Sequence, residues 1–120
     1  MQLNKIKLTK DASDRLKQLK ARTGLTPNIL SRIGFCMSLN DPSIPNPDDY
    51  PEEDREFNRY TLLGEWDALY VAMLRQRMLR DGVLGDMVEE AYFRAHINRG
   101  VVSLSKQVRS ISDLASLATT

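Results

Sequence analysis

Apolar and polar positions change their period several times along the chain. Ile6 and Leu8 alternate with Lys5 and Lys7, the period of a very short strand that points two apolar side chains one way and two ammonium groups the other. From Lys10 the spacing widens to three and four: Ala12, Leu16 and Leu19 line one side of a predicted helix, while Lys10, Lys17 and Lys20 occupy others. Gly24 supplies the positive φ that ends this helix. Thr26 as N-cap and Pro27 at the first helical position start a second one, with Ile29, Leu30, Ile33, Cys36, Met37 and Leu39 as its apolar side. Between Asn40 and Glu56 the periodicity stops. Pro42, Pro45, Pro47 and Pro51 stand there among acids, which predicts a long loop that Ile44 and Tyr50 can pack as a strap.

Helical spacing resumes near Thr61 and runs to Arg80, with Gly82 as its stop. Trp66, Leu69, Tyr70, Met73 and Leu74 follow one side, yet Ala68, Val71 and Ala72 fill much of the other, and a helix apolar nearly all round is a buried helix. A chain of 120 residues has little material to cover both sides, so Trp66, Tyr70, Val71, Ala72, Met73 and Leu74 are the predicted interface between copies, Val71 and Ala72 facing outward. Asp86 with Glu89 reads as the capping box of the next helix, whose core face is Met87, Ala91, Tyr92 or Phe93, and Ile97, with Gly100 as its end. Ser110 with Asp113 predicts one more short helix. The sum is a mainly α protein: one helical domain over 1–120, divided into a strand-helix-helix start (1–39), a loop (40–57) and a helical remainder (58–120).

Charge sharpens this picture. Residues 1–35 hold eight Lys or Arg (Lys5, Lys7, Lys10, Arg15, Lys17, Lys20, Arg22, Arg32) against Asp11 and Asp14, a local balance of +6 in a chain whose total is +1. Residues 36–60 sum to −5, 61–90 to −3 and 91–120 to +3. Positive charge that is placed rather than general is the footprint of a polyanion binder. The predicted phosphate ligands are Lys5, Lys7, Lys10, Lys17, Lys20, Arg22 and Arg32, together with Asn28 in the first turn of the second helix, where free backbone N–H groups favour an anion.

Other chemistry finds little support. One His and one Cys do not make a zinc site, and the acids at 48–56 lack the spacing of a magnesium site and read as a solvated loop, so no metal and no cofactor is expected. Cys36 reads as a packed core thiol, and His96 as a last-turn residue facing terminal carbonyls before Gly100. Walker A, G-x-G-x-x-G and G-x-S-x-G patterns are absent, so a stand-alone enzyme is not expected. A lone cysteine, no apolar leader and no apolar run of about 18 residues lead to the expectation of a cytoplasmic protein outside the membrane.

Strand, helix, glycine turn, helix, with lysines on the strand, is the order of ribbon-helix-helix modules, which makes a repressor of that type the alternative function. Longer blocks resemble a different family. Arg22-Thr23-Gly24-Leu25-Thr26-Pro27-Asn28-Ile29-Leu30-Ser31-Arg32, Asn58-Arg59-Tyr60-Thr61-Leu62-Leu63-Gly64-Glu65-Trp66-Asp67-Ala68-Leu69-Tyr70 and Ala95-His96-Ile97-Asn98-Arg99-Gly100-Val101 resemble the DndE family of the bacterial DNA sulfur-modification system. The resemblance implies a helical DNA-binding accessory protein, and it carries over no catalytic residue. It also implies a preference for nicked duplex, self-association into a homo-oligomer such as a tetramer, and work alongside DndC, DndD and a cysteine desulfurase.

Overall fold

The computed structural model describes residues 4–85 and 88–118. Strand β1 (Lys5–Lys7) leads into α1 (Lys10–Thr23) and α2 (Pro27–Asn40). After the loop come β2 (Glu56–Asn58), α3 (Arg59–Leu63), α4 (Asp67–Asp81), α5 (Glu89–Gln107) and α6 (Ile111–Ala118). The mainly helical fold with a short N-terminal strand is the one the sequence predicts.

The local signals expected at the end of α1, the start of α2 and the end of α4 act as such. Gly24 sits at φ 77° and caps α1, Gly82 at φ 74° caps α4, and Thr26 Oγ1 accepts from the Ile29 N–H at the head of α2. Thr9 caps α1 in the same way through the Ala12 N–H. Ser110 Oγ accepts from the Asp113 N–H, and the predicted C-terminal helix follows. The Asp86–Met87 part of the predicted capping box lies outside the described residues.

α5 is the centre of the molecule. Its widest contact is with α2, and α1 packs beside it. Phe93 stacks on Phe35 with centroids 5.1 Å apart, and Leu16, Leu19, Leu30, Leu74, Met78, Ile97, Val101 and Leu104 close the core around them. Gly100 does not end α5, as its composition suggested; the helix continues seven residues further, to Gln107. The glycine is there because α2 crosses at Gly34: a Cβ on Gly100 would lie 1.8 Å from the Gly34 carbonyl oxygen. His96 is consequently a mid-helix residue, fully buried, with Nδ1 2.8 Å from Ser38 Oγ.

The same crossing rotates α2. Its buried face is Leu30, Ser31, Gly34, Phe35 and Ser38, since small side chains allow the closest approach. The expected stripe of Ile29, Ile33, Cys36 and Met37 instead lines a cleft of about 780 Å³, walled by Tyr70, Leu114 and Leu117. Cys36 is therefore exposed rather than a packed core thiol, and partial burial pushes its thiol pKa up.

Two further expectations change. Helix does not run unbroken from Thr61: Gly64 takes φ 58°, a 3-10 turn covers Gly64–Trp66, and Arg59 holds the corner with a bidentate bond to Asp67, both contacts 2.8 Å. α4 buries Val71, Leu74, Arg77 and Met78 against its own core, while Ala68, Leu69 and Ala72 face out. Val71 and Leu74 are thus inward residues, not interface residues, because α2, α3 and α5 cover that side. Of the other predicted interface residues, Trp66 and Ala72 are exposed and Tyr70 and Met73 half-buried.

The loop over 40–57 is an ordered strap. Pro45 is buried, Arg94 donates to the Tyr50 carbonyl at 2.8 Å, and Arg77 and Arg99 both donate to the Ser43 carbonyl. Ile44 remains half exposed, so the anchors are arginines and a proline rather than Ile44.

Candidate nucleic-acid interface

The frame of the basic face is built before its charges. β1 pairs antiparallel with β2 of the same chain, Ile6 opposite Phe57, so both aromatic and aliphatic partners point into the core. That register leaves Lys5 exposed and Lys7 half-buried on the other side, facing Asn58 and Glu56 respectively.

α1 is fixed to α5 by polar bonds as well as by Leu16 and Leu19. Asn98, buried in the middle of α5, accepts from the Thr9 N–H at 2.8 Å and donates to the Arg94 carbonyl. Arg15 donates to Ser105 Oγ at 2.8 Å and pairs with Asp11. One rotation of α1 is thereby set. At roughly 100° per residue, Lys10, Lys17 and Lys20 fall within an arc of about 80° on its exposed side. All three are exposed, and among the described residues none has a carboxylate partner for its ammonium group. Arg22 is exposed too but lies on the other flank, toward Arg15.

Not every predicted ligand joins this group. Lys5 Nζ is 3.8 Å from Glu56. Asn28 is half-buried in the first turn of α2. Arg32 gives its Nε–H to the Leu62 carbonyl, closing the C-terminal end of α3, and a Cβ at Gly64 would come within 3.2 Å of its Nη2. Its charge is directed into the fold.

Most other arginines have structural employment, which sequence alone does not announce. Arg94 reaches Glu52 at 3.6 Å, Arg75 bonds Glu89 at 2.6 Å, and Arg77 and Arg99 bind the carbonyls at the end of α2. Glu89 is held below the usual carboxylate range chiefly by its bond from Arg75. Lys10, Lys17 and Lys20 by contrast are exposed positive charge without a carboxylate partner among the described residues, gathered on one side of one helix, an arrangement suited to non-specific contact with a phosphate chain. Lys20 and Arg22 also complement the negative end of the α1 dipole.

Among the described residues no three His, Cys, Asp or Glu side chains converge as metal ligands, and no helix is long and apolar enough to cross a membrane. The one His–Ser pair, His96 with Ser38, is sealed: neither residue is more than 1% exposed.

The sequence profile for "DNA sulphur modification protein DndE" matches residues 5–112. The crystal structure of DndE from Escherichia coli B7A, involved in DNA phosphorothioation modification, has a similar fold with a TM-score of 0.70 at 28% identity, covering 87% of this chain and 98% of that one. A glycine-to-lysine mutant of DndE superimposes with a TM-score of 0.66 at 24% identity over the same shares of the two chains. Among curated proteins none matches significantly. Sequence profile and fold agree over nearly the whole chain, which belongs to the DndE family of the DNA phosphorothioation system.

Proposed function

We propose that this protein is a non-catalytic DNA-binding component of the phosphorothioation system, one that holds duplex DNA by its phosphates while partners insert sulfur. The observation that carries this reading is the set of unpaired ammonium groups, Lys10, Lys17 and Lys20, on one flank of a helix locked to α5. Lys7 and Arg22 extend the positive surface on either side. Family membership supports DndC, DndD and a cysteine desulfurase as partners, and self-association as the form in which the protein works. It also supports a preference for nicked duplex, where the backbone bends freely toward a basic surface.

A ribbon-helix-helix repressor fits less well, since β1 takes its strand partner from its own chain rather than from a second subunit. Catalysis by the protein itself is disfavoured by the burial of Ser38 and His96 and by the raised pKa of the Cys36 thiol.

The test is reversal of charge at Lys17 and Lys20 (Lys17→Glu with Lys20→Glu), followed by gel shifts on intact and nicked duplexes across salt. Both side chains are exposed, so the melt should move little, by about 0.5 kcal/mol or less in stability per substitution. Wild type should lose about 0.9 log units of affinity per log unit of salt for each phosphate neutralised, and the double variant should bind weakly with a shallower slope. Unchanged affinity in the variant would move the DNA surface elsewhere. A preference of about 10³ or more for one palindrome would favour the repressor instead.

A further inference from the structure

The strap brings carboxylates onto the basic face at the N-terminal end of α1. Glu53 Oε1 accepts from the Lys10 backbone N–H at 3.4 Å, and Glu56 lies 3.8 Å from Lys5 Nζ. The peptide behind them is pinned. The Glu53 and Asp54 N–H groups both donate to the Leu8 carbonyl, at 3.3 and 3.0 Å, the Leu8 N–H donates to the Arg55 carbonyl at 2.8 Å, and the Arg55 N–H donates to Ser13 Oγ at 3.1 Å. Only the carboxylate arms are free to swing, and both are exposed.

Exposed ion pairs of this kind contribute little to folding. Their positions are more telling than their strength. A first-turn backbone N–H and a lysine ammonium are the two donors that a phosphate oxygen takes at a helix start. Here each is occupied by a carboxylate of the same chain.

We infer, on the DNA-binding reading given above, that Glu53 and Glu56 are built-in competitors of DNA phosphate. They cover the Lys5 end of the basic face, confine the backbone to the Lys17 and Lys20 end, and limit both affinity and the length of strand each subunit holds. A phosphate reaching Lys5 has first to displace them.

Neutralising the two acids (Glu53→Gln with Glu56→Gln) should let further phosphates seat. With about 0.9 log units of salt dependence per phosphate, two more contacts steepen the slope by about 1.8, so the variant's gain over wild type grows about 3.5-fold for each halving of the salt concentration. The control is Asp48→Asn with Asp49→Asn, which removes two charges from the same strap at side chains with no ion pair among the described residues. Fluorescence anisotropy on a labelled duplex, with thermal melts beside it, reads all variants. A steeper slope and tighter binding in the Glu variant alone supports the competition. An equal gain in the Asp control, or no change in slope in the Glu variant, overturns it. Should the double variant melt early, Glu56→Gln alone gives the same reading with half the slope change, since the backbone pins remain. The two readings fail separately: if Lys17→Glu with Lys20→Glu binds like wild type, the DNA face is wrong, whereas weakened binding there with an unmoved Glu variant removes only the competition.

Discussion

At the scale of single residues, the most demanding position is Gly100. A Cβ there would lie 1.8 Å from the Gly34 oxygen and 2.2 Å from its carbonyl carbon, both rigid backbone atoms. α2 and α5 would have to separate, loosening Phe35 and Phe93 with them. Gly100→Ala should therefore cost about 3 kcal/mol or more, at the upper end of overpacking. Gly85→Ala, whose Cβ would meet, among the described residues, Val88 Cγ2 at 3.7 Å, should stay within about 0.5 kcal/mol, and denaturant titrations compare the two directly. His96 adds a pH signature. Burial, then the nearby Arg99 and Arg77, push its pKa down from 6.5 to about 4. Between those values the unfolded chain binds a proton that the folded one refuses. Stability is full above pH 6.5 and is lost as pH falls toward 4, by ~3 kcal/mol at about 1.36 kcal/mol per unit. His96→Gln should flatten that part of the profile; a slope that survives the substitution would assign it to another group.

At the scale of elements, the end of α2 and the start of the strap depend on one side chain. Arg77 donates to the carbonyls of Leu39 at 2.7 Å, Asp41 at 2.6 Å and Ser43 at 2.7 Å, and its Nε bonds Asp81 at 2.7 Å. The pair is almost wholly buried, with side-chain exposures of 3% and 6%. Arg77→Leu leaves the Asp81 carboxylate buried without its cation and several carbonyls without donors, a loss of about 3–5 kcal/mol. Arg77→Lys should rescue little, because an ammonium lacks the planar fork that spans four acceptors. Limited proteolysis gives the local reading: cleavage within 40–57 should rise in both variants. Uncut strap in Arg77→Leu would mean that Arg94, Arg99 and Pro45 suffice.

At the scale of the whole molecule, the proposed self-association is tested on the outer side of α4. Trp66 just before the helix and Leu69 and Leu79 on it are 54%, 52% and 60% exposed, apolar surface of the kind enriched at interfaces between copies. Leu69→Glu should lower the mass seen by light scattering while leaving the subunit folded, since this side chain packs little against its own core. Val71→Glu is the wrong test, because Val71 is 6% exposed and its substitution would damage the fold itself. Loss of assembly should also weaken DNA binding by about a hundredfold or more, through the loss of effective concentration. A wild type that runs as a monomer at micromolar concentration removes both the interface and the multivalent grip.

What the sequence determined by itself is what short-range physics decides. Thr26-Pro27, Gly24, Gly82 and the Ser110–Asp113 cap are local devices, so these helix ends were legible without a fold. The lysine flank of α1 was legible too, because Ala12, Leu16 and Leu19 fix which side is buried and a charge opposite them has nowhere else to go. The block resemblance placed the family. Tertiary structure decided whatever depends on a distant partner. Gly100 reads as a stop in any single-helix account, and only the crossing at Gly34 makes it a contact. Val71 and Leu74 look equivalent to Leu69 and Ala72 along the chain until α2, α3 and α5 cover one side of α4. Arg32, Arg77 and Arg99 count as positive charge in the sequence, yet the backbone carbonyls they bind lie 30 or more residues away, so the chain alone does not separate an arginine that binds the fold from a lysine left exposed.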